Sequence, residues 1–294
     1  MFVAVVSDKP ELRENFCKMV GKENSKDDLA LYSADVQGRK IWLVDPLHYP
    51  EKIQPLLYSL SMADLVVFLV DGLSPKVGEL LVAINSMKLE RGIIVSNVAL
   101  PVAGTVVEKY EKVTDLTAAK EKVLATNASA GGETLLGMIH KTSNVKSLGN
   151  VANGALKSGK IKKDDKLFVL PSGKDFEIRS IHVDSSEKEE ISAVSGFEVS
   201  YKGDLVERGL LVPIRHDFQI EKIVNGRFTK SPFFKDELKG KIYAYSNMQF
   251  VEGSVTDNDL TLVEPLAFEK GETMLVVDAS NQKLRIAGVF QSKW

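Results

Sequence analysis

The chain is poor in the residues on which several classes of protein depend. Cys17 is its only cysteine, so no internal disulfide can form, and its four histidines are scattered without metal-ligand spacing. No apolar run approaches the roughly 18 residues that span a bilayer, and a net charge of −2 gives no general argument for nucleic-acid binding. We therefore expect a protein of the reducing cytoplasm that has no membrane segment, binds no metal and does not bind DNA.

Glycine is also missing from the first turn between a strand and a helix. Residues 1–6 form an apolar run of strand length, and Pro10–Val20 is predicted to be helical. In nucleotide-binding proteins such a turn carries a Gly-x-x-x-x-Gly-Lys-[Ser/Thr] loop, whose glycines let backbone N–H groups face the phosphates and whose hydroxyl binds Mg²⁺. The four positions that this pattern fixes hold Ser7, Leu12, Arg13 and Glu14. The sequence therefore predicts a turn that binds no phosphate and is filled by Leu12 and Glu14.

Residues 1–141 alternate apolar strands with helical stretches, which indicates a mainly parallel sheet covered on both faces. The predicted strands are 1–6, 29–32, 40–44, 64–70 and 93–96, and the predicted helices are 10–20, 50–62, 78–87 and 133–140. The first domain is therefore predicted to be an α/β domain.

Beyond residue 141 the helical period disappears, and short strands alternate with glycine and polar turns. Strands of this spacing favour closed β-barrels, because closure removes exposed sheet edges. The remaining length suits two small barrels, and we place the division between them near His216. The expected domains are 1–141 (α/β), 142–215 (first barrel) and 216–294 (second barrel).

Residues 154–183, GALKSGKIKKDDKLFVLPSGKDFEIRSIHV, and the Glu207-Arg208-Gly209 triplet carry a specific resemblance. They resemble the second domain of translational GTPases of the EF-Tu and SelB type. The segment from Asp45 to the strand LVVFLVDG that follows Asp64 is similar to the family's metal-linked segment, and residues 283–288 resemble its last strand. The archaeal SelB-like group that includes the factor proposed for pyrrolysyl-tRNA has the most similar pattern. The resemblance implies the three-domain architecture of EF-Tu: a P-loop-NTPase-like, Rossmann-like domain followed by two β-barrels.

The resemblance assigns nucleotide chemistry to positions that hold other residues in this chain. Asp45 keeps the family's metal-linked aspartate, but Tyr49 stands where the family has the histidine that positions water. The guanine-reading motif becomes Asn97-Val98-Ala99-Leu100, and the leucine replaces an aspartate that accepts two N–H donors from guanine. The span 26–39 is also short for the family's mobile first switch segment. We therefore expect neither GTP nor Mg²⁺ as a cofactor and no enzymatic hydrolysis of GTP.

Two interpretations of Arg13 and Asp45 stay open. Arg13 could pair with a phosphate while Asp45 holds a metal. We favour the other interpretation, in which Arg13 lies on a solvated helix face and Asp45 caps or turns the chain. Asn127 falls where the family's base-packing loop would be, and we expect it in a polar turn that caps the last helix.

The binding surfaces that the resemblance implies are better preserved than the catalytic residues. In the family the two barrels hold an aminoacyl-tRNA acceptor arm, mostly through phosphate contacts. The matching cations in this sequence are Lys157, Lys160, Lys162, Lys163, Arg179, Lys202, Arg208, Arg227, Lys230 and Lys235. Most lysine clusters are solvated faces, and Arg208 is expected in a structural ion pair with Glu207 or a neighbour.

The run from Gly226 to Lys235, GRFTKSPFFK, is the best single candidate for contact with RNA or protein, because its aromatic side chains alternate with cations. The alternative is a core strand in which Phe233 or Phe234 is buried.

Three functions are compatible with the resemblance. The sequence favours an elongation-factor-like protein that binds tRNA, aminoacyl-tRNA or ribosomal components without hydrolysing GTP. A weak GTP-binding protein or GTPase remains an alternative, as does a regulatory or scaffold partner of an authentic elongation factor.

Overall fold

The computed structural model describes residues 1–128, 131–183, 186–213, 217–238 and 241–293. They form two compact units. One unit contains Met1–Ala128 together with Thr229–Tyr243 and Leu275–Val289, and the other contains most of the remaining described residues. Across the described ranges, no helix has the length and apolar content that a membrane crossing requires.

A seven-stranded sheet organises the first part of the chain, in the order β2-β3-β4-β1-β5-β6-β7. Its strands are β1 Phe2–Val6, β2 Lys22–Lys26, β3 Leu29–Val36, β4 Arg39–Pro46, β5 Leu65–Val70, β6 Gly92–Ser96 and β7 Glu111–Val113. Its helices are α1 Pro10–Val20, α2 Gln54–Met62, α3 Pro75–Ser86 and α4 Leu116–Ala125, with a 3-10 turn at Val106–Lys109. Every residue of β1 and β5 is buried, as the unbroken apolar runs of central parallel strands require.

Strands β1, β4, β5, β6 and β7 run parallel, so their carboxyl ends meet at one edge of the sheet. Ligands of open α/β sheets bind at this edge. The hairpin of β2 and β3 adds antiparallel strands at the other side of β4. Because β2 begins two residues after α1 ends, the chain between α1 and β3 forms an edge strand instead of a long loop.

The first barrel closes through six strands in the order β11-β16-β8-β9-β15-β12, with β12 pairing back to β11. Its strands are β8 Leu136–Val145, β9 Gly149–Ser158, β11 Lys166–Leu170, β12 Lys174–Val183, β15 Ser195–Lys202 and β16 Gly209–Val212; the short strands are β10 Lys160–Lys162, β13 Ser186–Lys188 and β14 Glu190–Ser192. Phe176 and Tyr201 stack in its core with ring centroids 3.9 Å apart.

The second barrel closes in the order β17-β20-β19-β18-β21-β22. Its strands are β17 Gln219–Lys230, β18 Ile242–Ser246, β19 Gln249–Val255, β20 Asp259–Phe268, β21 Thr273–Val277 and β22 Ile286–Ser292. The α/β domain followed by two barrels agrees with the predicted fold class.

The helix predicted for 133–140 is wrong, because residues 136–145 form strand β8, which pairs with β9 and β16. A short apolar run fits a buried strand as well as a helix, and only its partner strands decide between them. Strand β8 therefore crosses the predicted domain limit at residue 141. The second predicted limit, between residues 215 and 216, lies outside the described residues, so that limit stays a prediction.

Helix α4 was not predicted from the sequence. Its start is marked by Asp115, whose carboxylate oxygen Oδ1 accepts a hydrogen bond from the backbone N–H of Ala118 at 2.9 Å. Aspartate is a common N-cap residue, whose side chain accepts a hydrogen bond from the backbone N–H three residues later. This local signal could have predicted α4 from the sequence.

Candidate functional site

The turn after β1 is only three residues long, because α1 begins at Pro10. Proline at the first helical position has no N–H to lose and its fixed backbone angle suits a helix start. As a result Leu12, Arg13 and Glu14 already belong to the helix. The loop between β1 and α1 therefore consists of Ser7, Asp8 and Lys9 alone.

Arg13 fills the space between this turn and the end of β4. Its side chain is fully buried, and its Nε donates to Oδ1 of Asp45 at 2.6 Å. Its Nη1 donates to the backbone oxygen of Ser7 at 2.7 Å, and Nη2 donates to those of Pro46 at 3.0 Å and Tyr49 at 2.9 Å. A long side chain on a helix points back toward the helix start, which carries the guanidinium to the carboxyl edge of the sheet.

These contacts correct three predictions. Arg13 does not lie on a solvated face, and Asp45 does not serve as a simple cap; the two form a buried ion pair. Leu12 and Glu14 do not fill the turn, because Leu12 is half-buried against the core and Glu14 pairs with Lys18 at 2.7 Å. The signal was present in the sequence, since position 13 shares a helix face with Phe16, Cys17 and Val20, which are all buried.

Burial raises the pKa of the Asp45 carboxyl, and the charge and hydrogen bond of Arg13 oppose that rise. The ion pair with Arg13 therefore stabilises the charged form of the buried Asp45 carboxyl. Burial also raises the pKa of the neighbouring Cys17 thiol well above its usual value, so this thiol stays protonated.

Two further contacts tie the turn after β1 to the loop after β5. Lys9 forms an ion pair with Asp71, and the hydroxyl of Ser74 donates to Oδ2 of Asp8 at 2.6 Å. Ser74 also caps α3, because its Oγ accepts from the backbone N–H of Val77 at 3.1 Å. The side chains around the turn are therefore engaged with one another.

Tyr49 is buried and belongs to a second polar cluster that the sequence did not predict. Its hydroxyl donates to the backbone oxygen of Lys76 at 3.0 Å and lies 3.2 Å from Oε1 of Glu79. Burial, followed by the negative charge of Glu79, raises the pKa of Tyr49 well above its usual value, so the phenol stays neutral. The hydroxyl of Tyr49 is therefore engaged by two acceptors inside the protein.

Glu79 receives a two-sided ion pair from Arg285. The backbone N–H and Nε of Arg285 donate to Oε2 at 2.8 Å and 3.0 Å, and Nη2 contacts Oε1. The guanidinium also lies over the ring of Tyr49, 5.5 Å from its centroid. Because Arg13 binds the backbone of Tyr49, a continuous set of hydrogen bonds joins Arg13, Tyr49, Glu79 and Arg285.

The position of the guanine-reading motif follows β6. Asn97 is exposed, Leu100 is half-buried, and the hydroxyl of Ser96 bonds the backbone of Val98. A cavity of about 110 Å³ is lined by Ile94, Ser96, Val98, Ala99, Leu100 and Lys112. Its walls offer no carboxylate to the N–H donors of guanine.

Asn127 comes after the end of α4, and the residue that caps the carboxyl end of that helix is Thr126. Oδ1 of Asn127 accepts from Arg39 at 2.6 Å, and its backbone oxygen accepts from Arg91 at 2.8 Å. Asn127 thus helps to hold the chain beyond the last helix.

The structure separates the cations predicted to bind RNA into three groups. Lys160 and Lys162 contact Glu190, and Lys163 contacts Glu187 and Glu189, so this cluster is balanced by acids. Arg208 is half-buried, and its Nε donates to the backbone oxygen of His140 at 2.7 Å, which indicates a structural role. The exposed members are Arg179, Lys202, Arg227, Lys230 and Lys235, and Lys157 is half-buried.

The run from Gly226 to Lys235 combines both predicted environments. Phe234 is buried, while Phe233 is 63% exposed. Lys230 lies over the ring of Phe234, 5.5 Å from its centroid, and Nζ of Lys235 donates to the backbone oxygen of Pro232 at 2.6 Å. One aromatic ring anchors the segment and the other is presented to the outside.

Comparison with known proteins identifies the fold. No protein-family model matches the chain. An uncharacterized protein of Methanocaldococcus jannaschii is 25% identical over 296 residues, which cover 94% of this chain and 95% of that protein.

Two solved forms of the translation elongation factor SelB of Methanococcus maripaludis are similar to this chain over its whole length. The matched part is 79% of each SelB chain. The complex with the GTP analogue GppNHp has a TM-score of 0.80 at 16% identity, and the apo form has 0.76 at 15%. A bacterial selenocysteine-specific elongation factor, EF-Sec, has a TM-score of 0.78 at 18% identity; it covers 99% of this chain, which spans 58% of its length. The predicted SelB-like, three-domain fold is confirmed.

Removing the Arg13 guanidinium is expected to be costly. The Arg13→Met variant should lose about 3–5 kcal/mol of unfolding free energy, because it leaves the Asp45 carboxylate buried without a counter-charge. Urea denaturation measures the loss. The matched control is Lys18→Met, whose exposed pair with Glu14 is screened by solvent and should contribute little to stability. Equal, small losses in both variants would contradict a stabilising role for the buried pair.

The Glu79 ion pair predicts a pH dependence. Burial alone would raise the pKa of Glu79, but the hydrogen bonds and charge of Arg285 lower it below its ordinary value of 4.5. A carboxyl with a lowered pKa in the folded state stabilises the fold above its unfolded pKa and loses that contribution as pH falls. The native chain should therefore have a larger free energy of unfolding than Glu79→Gln near neutral pH. This difference should shrink as the pH falls below about 4.5.

Urea midpoints at several pH values measure that difference. Glu121→Gln, which removes an exposed carboxylate of α4, controls for the general loss of one charge. A difference that grows as the pH falls would refute the assigned direction of the Glu79 shift.

Proposed function

We propose that this chain is an elongation-factor-like protein that binds tRNA, aminoacyl-tRNA or ribosomal components, and that it neither uses GTP nor hydrolyses it. In this proposal the α/β domain is a rigid scaffold. The observation that carries it is the buried Arg13–Asp45 pair at the carboxyl edge of the sheet.

The residues at this edge do not fit a nucleotide and its metal. The guanidinium of Arg13 occupies the hollow between β1, α1 and β4 with four hydrogen bonds. A phosphate would have to displace it and leave the Asp45 carboxylate unpaired. A metal at Asp45 would have to share the carboxylate with the guanidinium, because Oδ1 already accepts from Nε at 2.6 Å.

The segment after β6, where the family's guanine-reading motif was placed, supports the same proposal. Leu100 provides no acceptor for the N–H groups of guanine, and each unpaired buried donor costs about 1–3 kcal/mol. The hydroxyl of Tyr49 is already hydrogen-bonded to the backbone oxygen of Lys76 and to Glu79, so in this proposal it does not activate a water molecule. These features support the proposal that the chain does not use a nucleotide.

The likeness to SelB, a translation elongation factor, supports partners in the translation machinery. For RNA contact we favour Arg179, Lys202 and Arg227, because they are exposed cations of the barrels. The lysines at 160, 162 and 163 contribute less, since acidic neighbours already balance them. Cations of this kind contact phosphates without reading sequence.

Nucleotide binding is the direct test of the scaffold role. We expect dissociation constants for GTP and GDP above about 1 mM in the presence of Mg²⁺, measured by isothermal titration calorimetry. ATP serves as the control for non-specific binding. Submillimolar binding of GTP or GDP would overturn the proposal and favour a weak GTPase.

The RNA proposal predicts a salt dependence. Affinity for charged and uncharged tRNA should fall linearly with the logarithm of salt concentration. The triple variant Arg179→Glu, Lys202→Glu and Arg227→Glu should reduce that slope by about one for each lost phosphate contact. Filter binding at several salt concentrations measures it, with the exposed Lys18→Glu as the control. Binding without a salt slope would rule out phosphate contact.

A further inference from the structure

An apolar groove of about 500 Å³ lies beside α3 in the first compact unit. The face of α3 forms one wall, and residues 229–233, 283–284 and 288–289 form the other. Its apolar lining includes Leu81, Val82, Pro101, Pro232, Leu284 and Val289. A pocket of this volume falls in the range of specific binding sites.

Gly78 keeps the groove open. It lies in the first turn of α3, where alanine would favour the helix. A Cβ atom built on Gly78 would meet no atom within 4 Å, so close packing does not require a glycine here. Because residue 78 is glycine, the wall of the groove formed by α3 has no side chain at this position.

An aromatic residue is held at the rim. The turn that contains Phe233 is fixed on both sides, because Ser231 donates to the backbone oxygen of Ala287 at 2.8 Å and Phe234 donates to that of Ser231 at 3.1 Å. Phe234 is buried, so Phe233 is presented at 63% exposure on a fixed turn. Exposed aromatics beside apolar surface are typical of protein contacts.

The rim is positively charged. Lys230 and Lys283 are exposed lining residues. The acidic lining residue, Glu79, is already engaged by Arg285 and Lys76. Charge complementarity therefore favours an occupant that brings a carboxylate to the rim and apolar side chains to the interior.

We propose that this groove binds a short amphipathic, acidic peptide segment of a protein partner. Aliphatic or aromatic side chains of the segment enter between α3 and residues 229–233, and its carboxylates lie near Lys230 and Lys283. The walls favour a peptide over RNA, because they are mainly aliphatic and offer one exposed ring for base stacking. The groove does not depend on whether the chain binds tRNA.

The test uses two synthetic amphipathic peptides with identical leucine and phenylalanine positions, one with glutamate and one with lysine at the polar positions. Fluorescence anisotropy should show that the acidic peptide binds at least about tenfold more tightly than the basic one. Amide NMR shifts on binding should map to α3 and residues 229–233. A single-stranded oligouridylate should not compete.

Matched variants locate the site. Gly78→Phe should weaken binding of the acidic peptide at least about tenfold by filling the groove, whereas Gly78→Ala should raise the melting temperature and keep most of the affinity. Lys230→Glu with Lys283→Glu should reverse the preference between the two peptides, and Lys270→Glu, an exposed lysine outside the groove, should not. If Gly78→Phe does not fold, the variant with Lys230→Glu and Lys283→Glu still tests whether the peptide binds at this groove.

Several outcomes would overturn the proposal. Equal affinity for both peptides would refute the charge argument, and absence of binding at millimolar concentration would refute the site. Displacement of the acidic peptide by oligouridylate would assign the groove to RNA. Self-association that Gly78→Phe abolishes in sedimentation would assign it to a second copy of the chain.

Discussion

The buried pair of Arg13 and Asp45 is the interaction on which the carboxyl edge of the sheet depends. A charged side chain without exposure is tolerated only when its hydrogen bonds are satisfied, and Arg13 meets that condition through Asp45 and three backbone oxygens. These partners are Ser7 in the turn after β1, Asp45 and Pro46 at the carboxyl end of β4, and Tyr49 just beyond it. One guanidinium thus fixes two chain segments at the edge where open α/β sheets bind their ligands.

The constraint continues beyond Arg13. Its contact with the backbone of Tyr49 orients a phenol that reaches Glu79, and Glu79 holds Arg285. Each group in this series is buried and partnered, so removing any one leaves another unsatisfied. The result is a buried polar network whose hydrogen-bond partners are supplied by the chain itself. Glu79 of α3 takes part in this series and also lines the groove beside α3.

Much of the fold could be predicted because the physical signals are local. The apolar runs of β1 and β5 predict buried parallel strands, and the turn-separated strands beyond residue 141 predict barrels. Strand β8 could not be distinguished from a helix, since a short apolar run suits both and its partners β9 and β16 come later in the chain. Helix α4 was missed although its aspartate cap is a local signal.

By itself, the sequence determined the absence of glycines in the first turn, the altered residues at positions 49 and 100, and the SelB-like order of domains, because these are matters of residue type and spacing. The tertiary structure alone decided what occupies the turn. Arg13 was compatible with a solvated face or an interior partner. The choice depends on Asp45, which is distant in sequence but lies at the carboxyl end of the adjacent parallel strand β4. The roles of Glu79 and Arg285, and the open space above Gly78, likewise arise only when distant segments pack together.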